Sequence, residues 1–151
     1  MPYGGATLIA DTSVWSNIRK KAAPQTARQE VREAVLGGQL RSSPLVALEL
    51  TWGARNAKEA QEKTKATAAV LTGARELRVT QDIVDKALVA LGQMVGWSPD
   101  PDKAPVVDAL IAATAQANGI GVLHYNKDFD RISPLLGGYQ SVWVAPRGSI
   151  Q

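Results

Sequence analysis

Apolar and polar positions change period several times along the chain, and each change marks an element. Residues 6–10 (ATLIA) are a short apolar run ending at Asp11, the form of a buried strand. Residues 12–19 then predict a brief helix that Asp11, Thr12 or Ser13 can cap. Residues 23–37 carry Ala27, Val31, Ala34 and Val35 at helical spacing, and Gly37–Gly38 ends that helix. A second short strand is expected at 40–43. Pro44 opens a helix to about residue 55 that holds Leu45, Leu48, Glu49 and Trp52. Residues 57–72, rich in Ala, Lys and Glu, predict another helix. Residues 76–79 are a candidate third strand, and Thr80 begins a helix to about 95. Residues 96–102 read as loop, because two prolines and a glycine break both periods. Residues 105–118 predict a strong helix closed by Asn118–Gly119, followed by a strand at 121–125, a turn region at 127–132 and a last strand at 141–144.

Strands that alternate with helices imply a parallel sheet covered on both faces, an α/β fold. No repeat, low-complexity tract or linker divides the sequence, so residues 1–151 form one domain. A chain of 151 residues buries roughly 70% of the surface it exposes unfolded, enough for a full core. The absence of cysteine excludes disulfides, thiolate metal sites and a cysteine nucleophile. No run approaches the roughly 20 apolar residues of a membrane span. Residues 1–11 lack the basic cluster of a signal peptide, so a cytoplasmic protein is expected.

Charge is uneven along the chain. Residues 1–75 hold 11 Lys/Arg against 6 Asp/Glu, a balance of +5; residues 76–151 hold 6 against 8, a balance of −2. One face can therefore attract a polyanion such as RNA, with Arg19, Lys20, Lys21, Lys58 and Lys65 as contacts. The same residues also suit ordinary solvated helix surfaces.

Function in a parallel α/β sheet collects at the carboxyl ends of the strands. Asp11 ends the first strand, Asp108 lies in the first turn of the 105–118 helix, and Asp128 follows the 121–125 strand. Glu49 can face inward from the helix after Pro44. Carboxylates that converge repel and raise one another's pKa. A hard divalent cation, Mg²⁺ or Mn²⁺, relieves that repulsion with oxygen ligands and assists phosphate hydrolysis. Singly, each acid also has a structural reading: Asp11 as a helix cap, Asp108 as a dipole partner, Glu49 as surface, Asp128 and Asp130 as turn residues. His124, the only histidine, is expected to be structural. Trp15, Trp52 and Trp143 are expected in the core, and Trp97, in the loop, is the candidate for an exposed base contact.

Four segments in order, DTSVW from Asp11, PLVALEL from Pro44, VVDALIAATA from Val106 and VLHYNKDFDRI from Val122, resemble the motifs of VapC-type PIN-domain nucleases. The resemblance spans about residues 6–144. It implies a three-layer α/β/α domain with a short central parallel sheet, acting as an Mg²⁺- or Mn²⁺-dependent endoribonuclease toxin. Asp11, Glu49 and Asp108 fall on three family acids, with Asp11 and Asp108 as metal ligands and Ser13 as the small polar residue beside the metal. A VapB-like antitoxin and a homodimer are implied in the same way. The family turn commonly reads acid-x-Asp-Phe, whereas this chain has Asn126-Lys127-Asp128-Phe129. Asn126 keeps the shape of Asp and a carbonyl oxygen but not the charge. Either Asp128 takes the fourth-acid role, or metal binding is weaker, or Asn126 inactivates the enzyme. Two other functions remain open: a phosphatase using Asp11 as nucleophile, against which Ser13 counts, and a non-catalytic RNA- or antitoxin-binding module.

Overall fold

A computed structural model describes residues 1–70, 76–100 and 105–151. Its four strands are β1 (Leu8–Ala10), β2 (Leu40–Arg41), β3 (Gly121–His124) and β4 (Ser141–Trp143). They form one parallel sheet in the order β2-β1-β3-β4, with Ile9 opposite Arg41 on one side and Val122 on the other. Successive strand residues face opposite sides of a sheet, and every residue of β1 and β3 is buried. Both faces are therefore covered, as the unbroken apolar runs of the sequence required.

The covering helices are α1 (Thr12–Ile18), α2 (Gln25–Leu36), α3 (Pro44–Trp52), α4 (Ala57–Val70), α5 (Gln81–Met94), α6 (Val106–Ala117) and α7 (Asp128–Ile132). α3 packs along α4, and α5 along α6. The close fit of α6 against the sheet follows from its small side chains: Ala109, Ala112, Ala113 and Ala115 are all fully buried. Among the described residues no helix is long and apolar enough to cross a membrane.

Five expectations change. The strand expected at 76–79 is reduced to one parallel bridge, Ser42 with Glu76, and a Leu77 N–H bond to the Ser42 carbonyl at 3.0 Å. β2 is the limit: it ends at Arg41, and Ser43 already caps α3 by accepting the Leu45 N–H, so 76–79 has no longer edge to pair with. The turn expected at 127–132 is the short helix α7, which buries Phe129 and Ile132 on one side. Trp52, expected in the core, is 90% exposed. α3 is apolar almost all round, so its periodicity does not single out a face; the fold turns Val46 and Leu50 inward and Leu48 and Trp52 outward. Trp15 is buried as expected, but Trp143, expected in the core, is only half-buried, and Trp97, expected as the exposed contact, is half-buried against the core and under the Arg131 guanidinium, 3.8 Å from its ring centroid. The ends of two expected segments, 71–72 and 101–102, lie outside the described residues.

The strand order creates the site. From β1 the chain crosses to β2 on one side, then returns to β3 on the other, so β1 and β3 flank a switch point whose crevice opens at their carboxyl ends. The register that aligns those ends leaves no room at Gly121. A Cβ there would lie 2.6 Å from the Gln140 carbonyl oxygen and 2.7 Å from Leu8 Cδ2. Gly121→Ala is therefore expected to destabilise the fold by roughly 1–3 kcal/mol, as overpacking does. A thermal melt checks this; an unchanged Tm contradicts the register.

Candidate active site

Asp11 continues the β1 ladder by donating its N–H to the Leu123 carbonyl at 2.9 Å. The following Thr12 and Ser13 turn into α1, and Asp11 caps that helix: its Oδ2 accepts the Ser13 N–H at 3.0 Å. The side chain is 2% exposed, and its other oxygen, Oδ1, is buried with no hydrogen-bond partner. Burial raises the Asp11 pKa, while the Ser13 hydroxyl and the N–H groups of Ser13 and Thr12 pull it down. Ser13 Oγ also accepts the Tyr125 N–H at 2.8 Å, which ties α1 to the end of β3.

Glu49 reaches the same place from α3. Thr12 Oγ1 donates to Glu49 Oε1 at 2.7 Å. Burial raises the Glu49 pKa, Thr12 lowers it, and the charge of Asp11 raises it again. Asp108 comes from the first turn of α6. Its pKa is pushed up to about 7, chiefly by burial and then by the charges of Asp11, Glu49 and Asp128; the hydrogen bond from Asn126 opposes the rise. The acids singled out in the sequence thus act on one another across the switch point.

Asn126 is held at both ends of its side-chain amide and at its backbone N–H. Its Nδ2 donates to Asp108 Oδ2 at 3.1 Å, its Oδ1 accepts the Asp128 N–H at 3.0 Å, and its own N–H donates to His124 Nδ1 at 3.1 Å. These contacts fix the amide orientation, since a flipped amide would set NH₂ against N–H and oxygen against carboxylate. Asn126 therefore presents a donor to Asp108 rather than a ligating oxygen. Asp128 is partly buried and lies 3.7 Å from Arg131. Asp130 points elsewhere: it accepts from the Ser141 hydroxyl and from Trp143 Nε1 at 2.9 Å. Of the two acids in this turn, only Asp128 faces the cluster.

Among the described residues no three acidic or histidine side chains already stand at ligand spacing around one point. The donor set nevertheless fits a hard cation. All its candidate atoms are carboxylate oxygens, and the unpartnered Oδ1 of Asp11 is a buried acceptor that lacks a counterpart. Sequence reasoning missed the use of Thr12 to hold Glu49, because a Thr after a helix-capping Asp reads as a cap residue and nothing more. His124 is fully buried, and burial pushes its pKa down to about 4 against the opposing pull of Asp130.

Comparison with known proteins assigns the chain to a family. Residues 8–134 match the PIN domain family. The chain is 30% identical over 142 residues to Ribonuclease VapC51 of Mycobacterium tuberculosis, covering 94% of this chain and 96% of that protein. It is 28% identical over 143 residues to Ribonuclease VapC18 of the same organism, covering 93% and 96%. Among solved structures, DNA-bound VapBC from Salmonella typhimurium matches with a TM-score of 0.67 at 17% identity, over 93% of this chain and 99% of that one. VapBC2 from Rickettsia felis bound to a DNA fragment from their promoter matches with a TM-score of 0.64 at 16% identity, over 89% and 97%. At such identities these likenesses concern the fold. The family match over most of the sequence and the full-length VapC relatives lead to one assignment: the chain belongs to the PIN-domain family, in its VapC group.

Proposed function

We propose that the protein is a divalent-metal-dependent endoribonuclease that acts as the toxin of a toxin–antitoxin pair. The observation that carries this reading is the electrostatic coupling of buried Asp11 with half-buried Glu49, Asp108 and Asp128, in which one Asp11 oxygen has no partner and Asp108 is driven to a pKa of about 7. Such a group of like charges calls for a cation. Asp11 and Asp108 would hold Mg²⁺ or Mn²⁺, and the bound ion supplies water activation and charge neutralisation at a phosphodiester. The chain's own residues prepare the place. Thr12 holds the Glu49 carboxyl, Ser13 locks α1 to the end of β3, and Asn126 orients Asp108.

Partners follow from the same membership. The VapBC complexes among the structural neighbours support a VapB-like antitoxin. Outward apolar residues, Leu48 and Trp52 on α3 and Leu88 and Val89 on α5, give surface for an antitoxin and for a second copy in a homodimer. Arg19, Lys20, Lys21, Lys58 and Lys65 are all exposed and free to meet RNA phosphates. The covalent-phosphatase reading loses its ground with the family assignment. A non-catalytic module remains the second reading, favoured by one observation: Asn126 offers the site an N–H where the family commonly has an acid.

Two outcomes test the reading. With total bacterial RNA and Mn²⁺ or Mg²⁺, the protein should cut at discrete sites, and Asp11→Asn should reduce the rate by roughly a hundredfold, the upper end of what loss of an outer-shell partner alone costs. RNA or antitoxin binding without cleavage would favour the non-catalytic module instead.

The second outcome concerns pH. Folding raises the Asp108 pKa from 3.8 to about 7, so the folded state favours the neutral carboxyl. Its contribution is fully present below about pH 4 and is lost as pH rises through 7. In chelator, Tm should therefore fall across that window, and Asp108→Asn should flatten the fall. Mn²⁺ should bind more tightly as pH rises from 5 to 8, because the proton on Asp108 competes with the ion. Calorimetric affinities that do not vary with pH would contradict a role for Asp108 in holding the metal.

A further inference from the structure

We propose that His124 is a positioning residue for the acidic cluster. Through a hydrogen-bonded line that runs Asp130–Ser141–His124–Asn126, it fixes the backbone from which the Asn126 amide holds the Asp108 carboxylate. The inference rests on reading Asp108 as an active-site acid, but its geometry does not depend on what the site cleaves.

The line has one direction. His124, the last residue of β3, accepts the Asn126 N–H at Nδ1, so the ring proton sits on Nε2. That nitrogen lies 2.7 Å from Ser141 Oγ and donates to it, and the Ser141 hydroxyl donates in turn to Asp130 Oδ1. Asp130 is itself anchored through Oδ2 by Trp143 Nε1. The opposite tautomer would set Nδ1–H against the Asn126 N–H, so a single proton arrangement satisfies every member. The ring has no freedom to leave: it is fully buried, edge-on to Trp143 at 5.0 Å between centroids and tilted against Phe129 at 5.1 Å.

An apolar side chain could fill the same volume, but it could not supply the lone pair. Beyond β3 the chain leaves the ladder, and two successive N–H groups turn inward. Ser13 Oγ takes the one of Tyr125, and His124 Nδ1 takes the one of Asn126. Both acceptors fix the strand-to-helix turn on which Asn126 and Asp128 stand. His124 therefore acts on Asp108 at one remove, through Asn126.

The chain has a single histidine, so ring ¹⁵N spectra of the full-length, metal-free protein report this residue without ambiguity. The expected result is a neutral ring protonated at Nε2 near pH 7. Ser141→Ala, on a half-buried edge strand, removes the acceptor of the Nε2 proton and cuts the line to Asp130. It should shift the His124 Nε2 resonance, move the Asn126 side-chain amide resonance and weaken Mg²⁺ binding by about tenfold, the lower end of what outer-shell substitutions cost. His124→Leu should weaken Mg²⁺ binding by roughly tenfold, and His124→Asn, whose Oδ1 stands near the place of Nδ1, should restore most of it. If His124→Leu does not fold, the Ser141→Ala result decides alone. The proposal is overturned by an Nδ1-protonated ring in the wild type, or by an Asn126 amide resonance that does not move in Ser141→Ala. Absence of Mg²⁺ binding in the wild type would instead defeat the metal reading, and the two spectroscopic results would still decide the positioning role.

Discussion

Burial of carboxylates at the point where the sheet changes direction is the constraint on which the rest of the site depends: it raises the pKa of Asp11, Glu49 and Asp108, and neighbouring negative charges add to the rise at Glu49 and Asp108. Asp108 shows it most clearly: burial and three like charges carry its pKa to about 7. Nothing local requires such crowding. Each acid suits its own element, since Asp11 caps α1 and Asp108 sits favourably in the first turn of α6. The conflict appears only when β1 and β3 pair, and the cores of those strands hold it in place. Leu8, Ile9, Val122 and Leu123 are fully buried, so the carboxyl ends cannot separate to relieve the charge.

Much of this was legible in the sequence because the relevant signals are local. A short apolar run ending in Asp11, a proline-opened helix carrying Glu49, and a small-residue helix starting near Asp108 each read correctly. Strand–helix alternation then sends the strand ends to one edge, which is why Asp11, Glu49, Asp108 and Asp128 read as candidates for one site, and their charges act on one another there; Asn126 stood out only through the family resemblance. The departure at Asn126 was legible too, but its meaning was not. Sequence shows that a charge is missing; the structure adds that the amide gives Asp108 a donor and turns its oxygen to the Asp128 N–H.

The rest was hidden because it depends on contacts between distant segments. Glu76–Ser42 is a single bridge and not a strand because of where β2 stops. The outward turn of Trp52 depends on which side of an all-apolar α3 meets the core. Thr12 finds Glu49 across 37 positions, and Ser13 finds Tyr125 across 112. The histidine line joins Ser141 and Asp130 to a site neither touches directly. No spacing rule predicts such pairs, because they arise from register and not from periodicity.

The central claim is that this crowded cluster exists to hold a cation. The most direct measurement is anomalous scattering from crystals grown with Mn²⁺. The account predicts an ion at roughly 2.0–2.2 Å from Asp11 Oδ1 and from a carboxylate oxygen of Asp108, near the distances typical of small hard cations. An Asp11 Oδ1 left unpartnered at saturating Mn²⁺, with the ion bound elsewhere or not at all, would contradict it.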